Sequence, residues 1–250
     1  MSRYDASFFE AVREGARRSA ARLVPLVMEL VEPRSVLDVG CGDGTWLAAF
    51  DGAGVRDYLG VDGVDPEGVP LAIPRERLIV RDLASTIALG RTFDLAISLE
   101  VGEHLPPDRA DAFVASLTAH APVVLFSAAV PFQTGVGHVN EQWPEYWAEK
   151  FAARRYRAAD ALRPRVWDDP SVTWWYAQNA ILYVGEGAAA ARPRLREAVA
   201  ATDPARLTRI HPANYARIGE LLEARARRRG RLTRRIGRFL RGRSDPRSGS

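Results

Sequence analysis

The amino-acid sequence predicts an α/β protein whose sheet is doubly wound and mainly parallel. Two observations lead there. Short apolar runs alternate with longer stretches of helical periodicity across residues 35–185, the pattern of strand–helix–strand units around one sheet. Between the first run and the first of those helices stands Gly40-Cys41-Gly42-Asp43-Gly44, a turn of the kind that brings backbone close to a ligand.

The elements follow in order. The first thirty residues read as helix, with Phe8, Val12, Leu23, Val27 and Leu30 at helical spacings, and Pro25 is expected to divide that helix or start a second. "VLDV", from Val36 to Val39, is the first buried strand, and "TWLAAFDGAG" is the helix after it, closed by glycine. "DYLGVD" and "ERLIVRDL" supply the second and third strands, "FDLAISLE" the fourth and "PVVLFSAAV" the fifth. "PPDRADAFVASLTAH", with proline in its first turn, is the helix between the last two. "WPEYWAEKF" is a further helix and "NAILYVG" a late apolar strand.

Composition narrows the setting. Cys41 is the single cysteine, so no internal disulfide forms, and the first residues lack a signal-peptide core; a reducing, cytoplasmic location is expected. No apolar run approaches the roughly 20 residues that span a bilayer. The net charge of +4 hides an asymmetry: ten arginines and no acid lie between Ala224 and Arg243, and without them the rest of the chain carries −6. Residues 1–34 are therefore taken as an N-terminal helical segment, 35–185 as the sheet domain, 193–243 as an Arg-rich helical extension and 244–250 as a disordered tail. In the extension Leu232, Ile236, Phe239 and Leu240 recur at helical spacings among arginines. A membrane-surface helix or other anionic surface contact, and a partner- or nucleic-acid-binding arm, compete there with a plain solvated helix.

The glycine turn departs from a dinucleotide fingerprint, because Thr45 stands where G-x-G-x-x-G needs its third glycine. Asp38, two residues before Gly40, is a poor neighbour for a pyrophosphate and suits a cationic, amino-acid-bearing cofactor. Asp62 ends the second strand in "GVDG", where a carboxylate can accept from both ribose hydroxyls. Asp82 in "VRDLA" ends the third, placed for an adenine amino group. Taken in order over residues 35–128, "VLDVGCGDG", "GVD", "RDL" and "FDLAISLEVGEHL" resemble the class I S-adenosylmethionine-dependent methyltransferases. That resemblance implies a Rossmann-like sheet of order 3-2-1-4-5-7-6 with the late strand antiparallel, and S-adenosyl-L-methionine as cofactor. It places Asp38, Gly40 and Gly42 around the methionine end, Asp62 at the ribose, and Asp82 with Leu83 at the adenine.

"EVGEHL" sets Glu100, Glu103 and His104 at relative positions 0, 3 and 4, the spacing of one helical face, where the fourth strand reaches the ligand crevice. Three roles fit. The segment can be structural; His104 can be a general base, its ordinary pKa lying near operating pH; or Glu100, Glu103, His104 and a later His138 can bind a divalent metal. The last arrangement is similar to the metal site of plant-type small-RNA 2′-O-methyltransferases, and the ubiquinone-pathway O-methyltransferases have a similar E-x-x-E-H.

The loop "PFQTGVGHVNEQW" also offers Asn140 and Glu141, so His104, His138 and Glu141 are the candidate catalytic residues. Trp143 and Tyr146, with "WWYAQN" (Trp174 to Asn179), add aromatic faces and amides useful to a sugar-bearing acceptor, while Trp147 and Trp174 are assigned to packing. "HVNEQWP" and "WWYAQN" are similar to segments of bacterial methyltransferases of glycan and natural-product pathways. The function expected is O-methylation of a hydroxyl on a saccharide or glycosylated small molecule. The alternatives are an RNA 2′-O-methyltransferase, disfavoured by the lack of an RNA module, and a non-catalytic protein that keeps the fold.

Overall fold

Successive strand residues point to opposite faces, and in this sheet both faces are apolar. The structure, a computed structural model, describes residues 6–65 and 70–241, with side chains over 13–65 and 70–227. Its strands are β1 (Ser35–Val39), β2 (Asp57–Asp62), β3 (Leu78–Val80), β4 (Leu95–Leu99), β5 (Val123–Ser127), β6 (Tyr156–Ala159) and β7 (Ile181–Gly185). They form one 7-stranded sheet in the order β3-β2-β1-β4-β5-β7-β6. β1 to β5 pair in parallel, and β7 runs antiparallel to β5 and β6, as the resemblance implied.

The helices are α1 (Ala6–Val31), α2 (Thr45–Gly52), α3 (Ala110–His120), α4 (Pro144–Ala152), α5 (Arg163–Val166), α6 (Trp174–Asn179), α7 (Glu186–Ala191), α8 (Pro193–Ala200) and α9 (Pro212–Arg241). On one face of the sheet Val36, Leu95, Ile97, Val123, Leu125 and Leu182 pack with Leu23 and Val27 of α1, Leu47 and Phe50 of α2, and Leu195 of α8. On the other, Leu37, Ala96, Val124, Phe126 and Tyr183 meet Phe113 and Leu117 of α3 and Trp147 and Phe151 of α4. Phe151 stacks on Tyr183 at 3.9 Å between centroids and 10° between planes. The assignment of Trp147 to packing agrees with its burial against Phe126, 4.9 Å between ring centroids.

Three expectations change. Pro25 neither divides α1 nor starts a second helix; the helix runs through it to Val31. A mid-helix proline costs about 3 kcal/mol, but fully burying a side chain such as Leu23, Val24 or Val27 returns about 1.5–3 kcal/mol each, so packing wins. The side chains of Phe8 and Val12 lie outside the described residues. Next, β6 was not read from the sequence: "YRAA" is short, alanine-rich and lies at the sheet edge, with Arg157 exposed.

The third change is the domain boundary. The compact unit that contains the sheet extends to His211, not to 185, and α9 forms a unit of its own from Pro212. The cause is Arg163, fully buried, whose Nε and Nη2 each donate to Asp160 at 2.7 Å. Its Nη1 donates to the carbonyls of Gln178 (3.0 Å) and Leu207 (2.8 Å), tying residues after α8 into the sheet domain. The expected extension 193–243 therefore starts at Pro212, and the tail 244–250 lies outside the described residues. No helix among the described residues is long and apolar enough to cross a membrane.

Candidate active site

The strand order reverses between β1 and β4, which opens a crevice beyond the carboxyl ends of the parallel strands. The turn after β1 enters that crevice. Gly40, Gly42 and Gly44 have φ of 87°, 55° and 83°, a region that side chains disfavour. A Cβ at Gly40 would stand 2.3 Å from Val101 Cγ2, and one at Gly44 2.5 Å from Ile73 Cγ1. Gly40→Ala is therefore expected to cost about 1–3 kcal/mol of stability, read as a lower urea midpoint. An unchanged midpoint would show that the turn adapts.

Acids surround this turn. Asp38 is 2% exposed, and its Oδ2 has no hydrogen-bond partner. Burial, then the negative Asp62 and Asp43, push its carboxyl well above the usual range. Asp62 Oδ2 accepts from the Gly42 amide at 2.7 Å and Oδ1 from the Val64 amide at 3.0 Å, so this carboxylate also shapes the turn. Arg13 of α1 reaches Asp43, Nε to Oδ2 2.9 Å, a contact that sequence reading missed because nothing local pairs them. Cys41 is buried, its thiol pushed up by burial and by Asp38 and Asp62, so it is no nucleophile. Beyond β3, Asp82 accepts from the Ala84 amide (3.0 Å) and the Ser85 hydroxyl (2.8 Å), which hold its carboxyl below the usual range, while Leu83 is buried beside it.

"EVGEHL" does not form the helical turn its spacing suggested. β4 ends at Leu99, Glu100 takes a left-handed φ of 57°, and a short 3-10 turn follows over Gly102–His104. The Glu100 carboxylate accepts from Gln133 Nε2 at 2.7 Å and Asn179 Nδ2 at 3.1 Å. Burial raises its pKa to about 7.

Glu103 goes elsewhere. It is fully buried, and neither carboxylate oxygen has a hydrogen-bond partner. Burial first, and the nearby Glu100 second, push it well above the usual range. Its carbonyl accepts from the amides of Val139 (2.8 Å) and Asn140 (3.0 Å), which stitches the loop after β5 onto this turn.

That stitching delivers His138. The rings of His104 and His138 meet edge to face, 4.9 Å between centroids and 90° between planes. His138 Nδ1 lies 2.8 Å from Glu141 Oε1, and its Nε2 lies 4.0 Å from Glu103 Oε1. One donor atom from each of Glu103, His104 and His138 falls within 4.8 Å of the others. Donors around one ion at 2.0–2.3 Å stand roughly 3–4 Å apart, so a modest side-chain movement would close the set. Burial, and then the neighbouring His138, hold the His104 pKa below its ordinary value.

Two readings need correction. Glu100 is not in the three-residue group; its carboxylate is occupied by Gln133 and Asn179. Gln178 and Asn179, expected to face an acceptor, are buried: Gln178 donates to Asn179 Oδ1 at 2.9 Å and accepts from the His211 amide at 2.9 Å. The loop instead exposes apolar groups beside His138, with Phe132, Val136 and Val139 at 69%, 55% and 59%. Gln133 was missed, although its place in the loop after the fifth strand was a usable signal.

Residues 10–168 match the family of methyltransferase domains. Over 58 residues, 21% of this chain, identity to the 2-ketoarginine methyltransferase of Streptomyces arginensis is 47%; the match spans 17% of that relative's length. Among solved structures, a sugar N-methyltransferase from a Streptoalloteichus species shares 16% identity at a TM-score of 0.52, over 74% of this chain and 96% of that one. The magnesium protoporphyrin IX methyltransferase of Synechocystis, solved with bound S-adenosylhomocysteine, shares 17% at 0.50, over 74% and 90%. At these identities the two structures carry the fold alone.

Proposed function

The chain belongs to the methyltransferase-domain family as a class I S-adenosylmethionine-dependent enzyme, and from that premise we propose that it methylates a hydroxyl of a saccharide or glycosylated small molecule. One observation carries the choice of oxygen: the buried, unpartnered Glu103 beside His104 and His138. A hydroxyl must lose its proton to attack a sulfonium methyl, whereas a neutral amine attacks with its own lone pair. A cluster of proton- or metal-binding groups serves the first acceptor.

The turn after β1 fits the cofactor. Its sulfonium and ammonium charges suit a crevice with Asp38, Asp43 and Asp62, and the unpartnered Asp38 Oδ2 is an acceptor in want of a donor. Asp62 would take the ribose hydroxyls; Asp82 and Leu83 would take the adenine.

Glu103, His104 and His138 would hold a divalent ion, for which mixed imidazole and carboxylate donors suit Mn²⁺, Fe²⁺, Co²⁺ or Zn²⁺ better than Ca²⁺. A bound ion lowers the pKa of a hydroxyl that it touches. Glu141 then acts as a positioning residue: accepting from Nδ1 of His138, it leaves the Nε2 lone pair toward Glu103. The same Glu141–His138 pair also supports a metal-free reading, with Nε2 taking the acceptor's proton and Glu141 stabilising the imidazolium. The exposed Phe132, Val136 and Val139 offer an apolar rim for an aglycone.

Methyl transfer from labelled cofactor to paired sugars, identical except for hydroxyl or amine at one carbon, tests the choice. The hydroxyl sugar should be methylated as an ether. Turnover of the amine with an inert hydroxyl partner would overturn the proposal.

A further inference from the structure

The sheet domain accounts for the site, but it leaves α9 without a role. This helix is a separate unit of 30 residues, Pro212–Arg241, about 45 Å long at 1.5 Å per residue. It contains ten arginines and two glutamates. We propose that α9 is a surface-docking helix that lays the enzyme on an anionic phospholipid membrane, whatever acceptor the site takes.

The argument begins with helical phase. At about 100° per residue, Ile218, Leu221, Leu222, Leu232, Ile236, Phe239 and Leu240 all fall within one arc roughly 100° wide. Arg217, Arg227, Arg231, Arg234, Arg235, Arg238 and Arg241 fall within roughly 140° of the opposite side. The apolar arc is populated over 218–222 and again over 232–240, two patches on the same side of the helix. Where side chains are described, Ile218 is half-buried, but Leu221 is 37% and Leu222 60% exposed, and Tyr215 at the margin of the arc is 75% exposed. Arg225 and Arg229 break the stripe midway, which a membrane boundary tolerates because an arginine stem can lie along acyl chains while its head reaches phosphate.

Charge and apolarity together select the partner. A nucleic-acid arm needs the arginines but gains nothing from apolar residues gathered on the opposite side, and its bases would look for aromatic platforms, of which that side has only Tyr215 and Phe239. A solvated helix needs neither Ile236 nor Phe239. An interfacial helix uses both faces at once, with apolar residues in the headgroup–acyl boundary and arginines on anionic phosphates. The helix is too polar to cross: no described helix reaches the apolarity of a membrane span.

Flotation of the full-length protein with vesicles tests the inference. It should float with phosphatidylglycerol–phosphatidylcholine vesicles, stay down with pure phosphatidylcholine, and release as salt is raised. The paired change Ile236→Ser and Phe239→Ser leaves the charge unchanged and should weaken vesicle binding about tenfold or more, with cofactor binding retained as the check on folding. Changing Arg234 and Arg238 to Gln should weaken binding to anionic vesicles only. The proposal is overturned if the intact protein fails to float at low salt. It is equally overturned if the serine variant floats as well as the parent, since the arginines alone, as in RNA binding, would then suffice.

Discussion

Glu103→Gln should lower methyl-transfer turnover by about 10²–10⁴-fold, the range lost when a positioned proton- or metal-handling group is removed, with cofactor affinity nearly unchanged. The carboxylate is fully buried without a hydrogen-bond partner, an arrangement that costs stability unless a ligand completes it. That cost gives a second readout. Glu103→Leu removes both orphaned oxygens and should stabilise the chelator-treated protein by about 1–3 kcal/mol in urea denaturation, the penalty of an unsatisfied buried group. A functional residue is thus expected to be unfavourable for the fold. If instead the leucine variant keeps the parent rate, Glu103 takes no part in the chemistry. A leucine variant that is less stable would mean that the carboxylate finds a partner within the folded chain.

The second large effect belongs to Asp62. Asp62→Ala is expected to weaken S-adenosylhomocysteine binding by about 1.5–3 kcal/mol, or roughly 10–150-fold, in calorimetry. Two losses contribute: a charged acceptor for the ribose hydroxyls, and the anchor for the Gly42 amide at 2.7 Å that holds the turn in its left-handed path. Asp62→Asn keeps one acceptor oxygen for Gly42 and discards the charge, so an intermediate loss is expected. Equal binding by the alanine variant would remove Asp62 from the ribose role, and tight NAD binding would contradict the cofactor assignment altogether.

The central strands were legible because each is a short run with a single polar residue among apolar ones, buried on both faces, as in "VLDV" and "LAISL". The glycines were legible because a positive φ and a close neighbour leave no other residue for Gly40 or Gly44. β6 was not, since four residues at a sheet edge with an exposed arginine carry no period to detect. Nor was the direction of Glu100. Spacing of 0, 3 and 4 brings side chains together only if all three residues share one helix, and the left-handed turn at Glu100 breaks that premise. His138 was legible as a candidate from its glycine-flanked loop, but its approach to Glu103 and His104 depends on long-range amide bonds to the Glu103 carbonyl that no local pattern announces.

A Co²⁺ titration of the full-length protein with S-adenosylhomocysteine bound, followed by visible absorption, tests the central claim most directly. Glu103, His104 and His138 joined around one ion predict saturable, stoichiometric absorbance that disappears in His138→Ala while the demethylated cofactor stays bound. Absence of saturable cobalt binding, together with methyl transfer that continues at full rate under chelation, would contradict the metal site and leave His138 with Glu141 as the base.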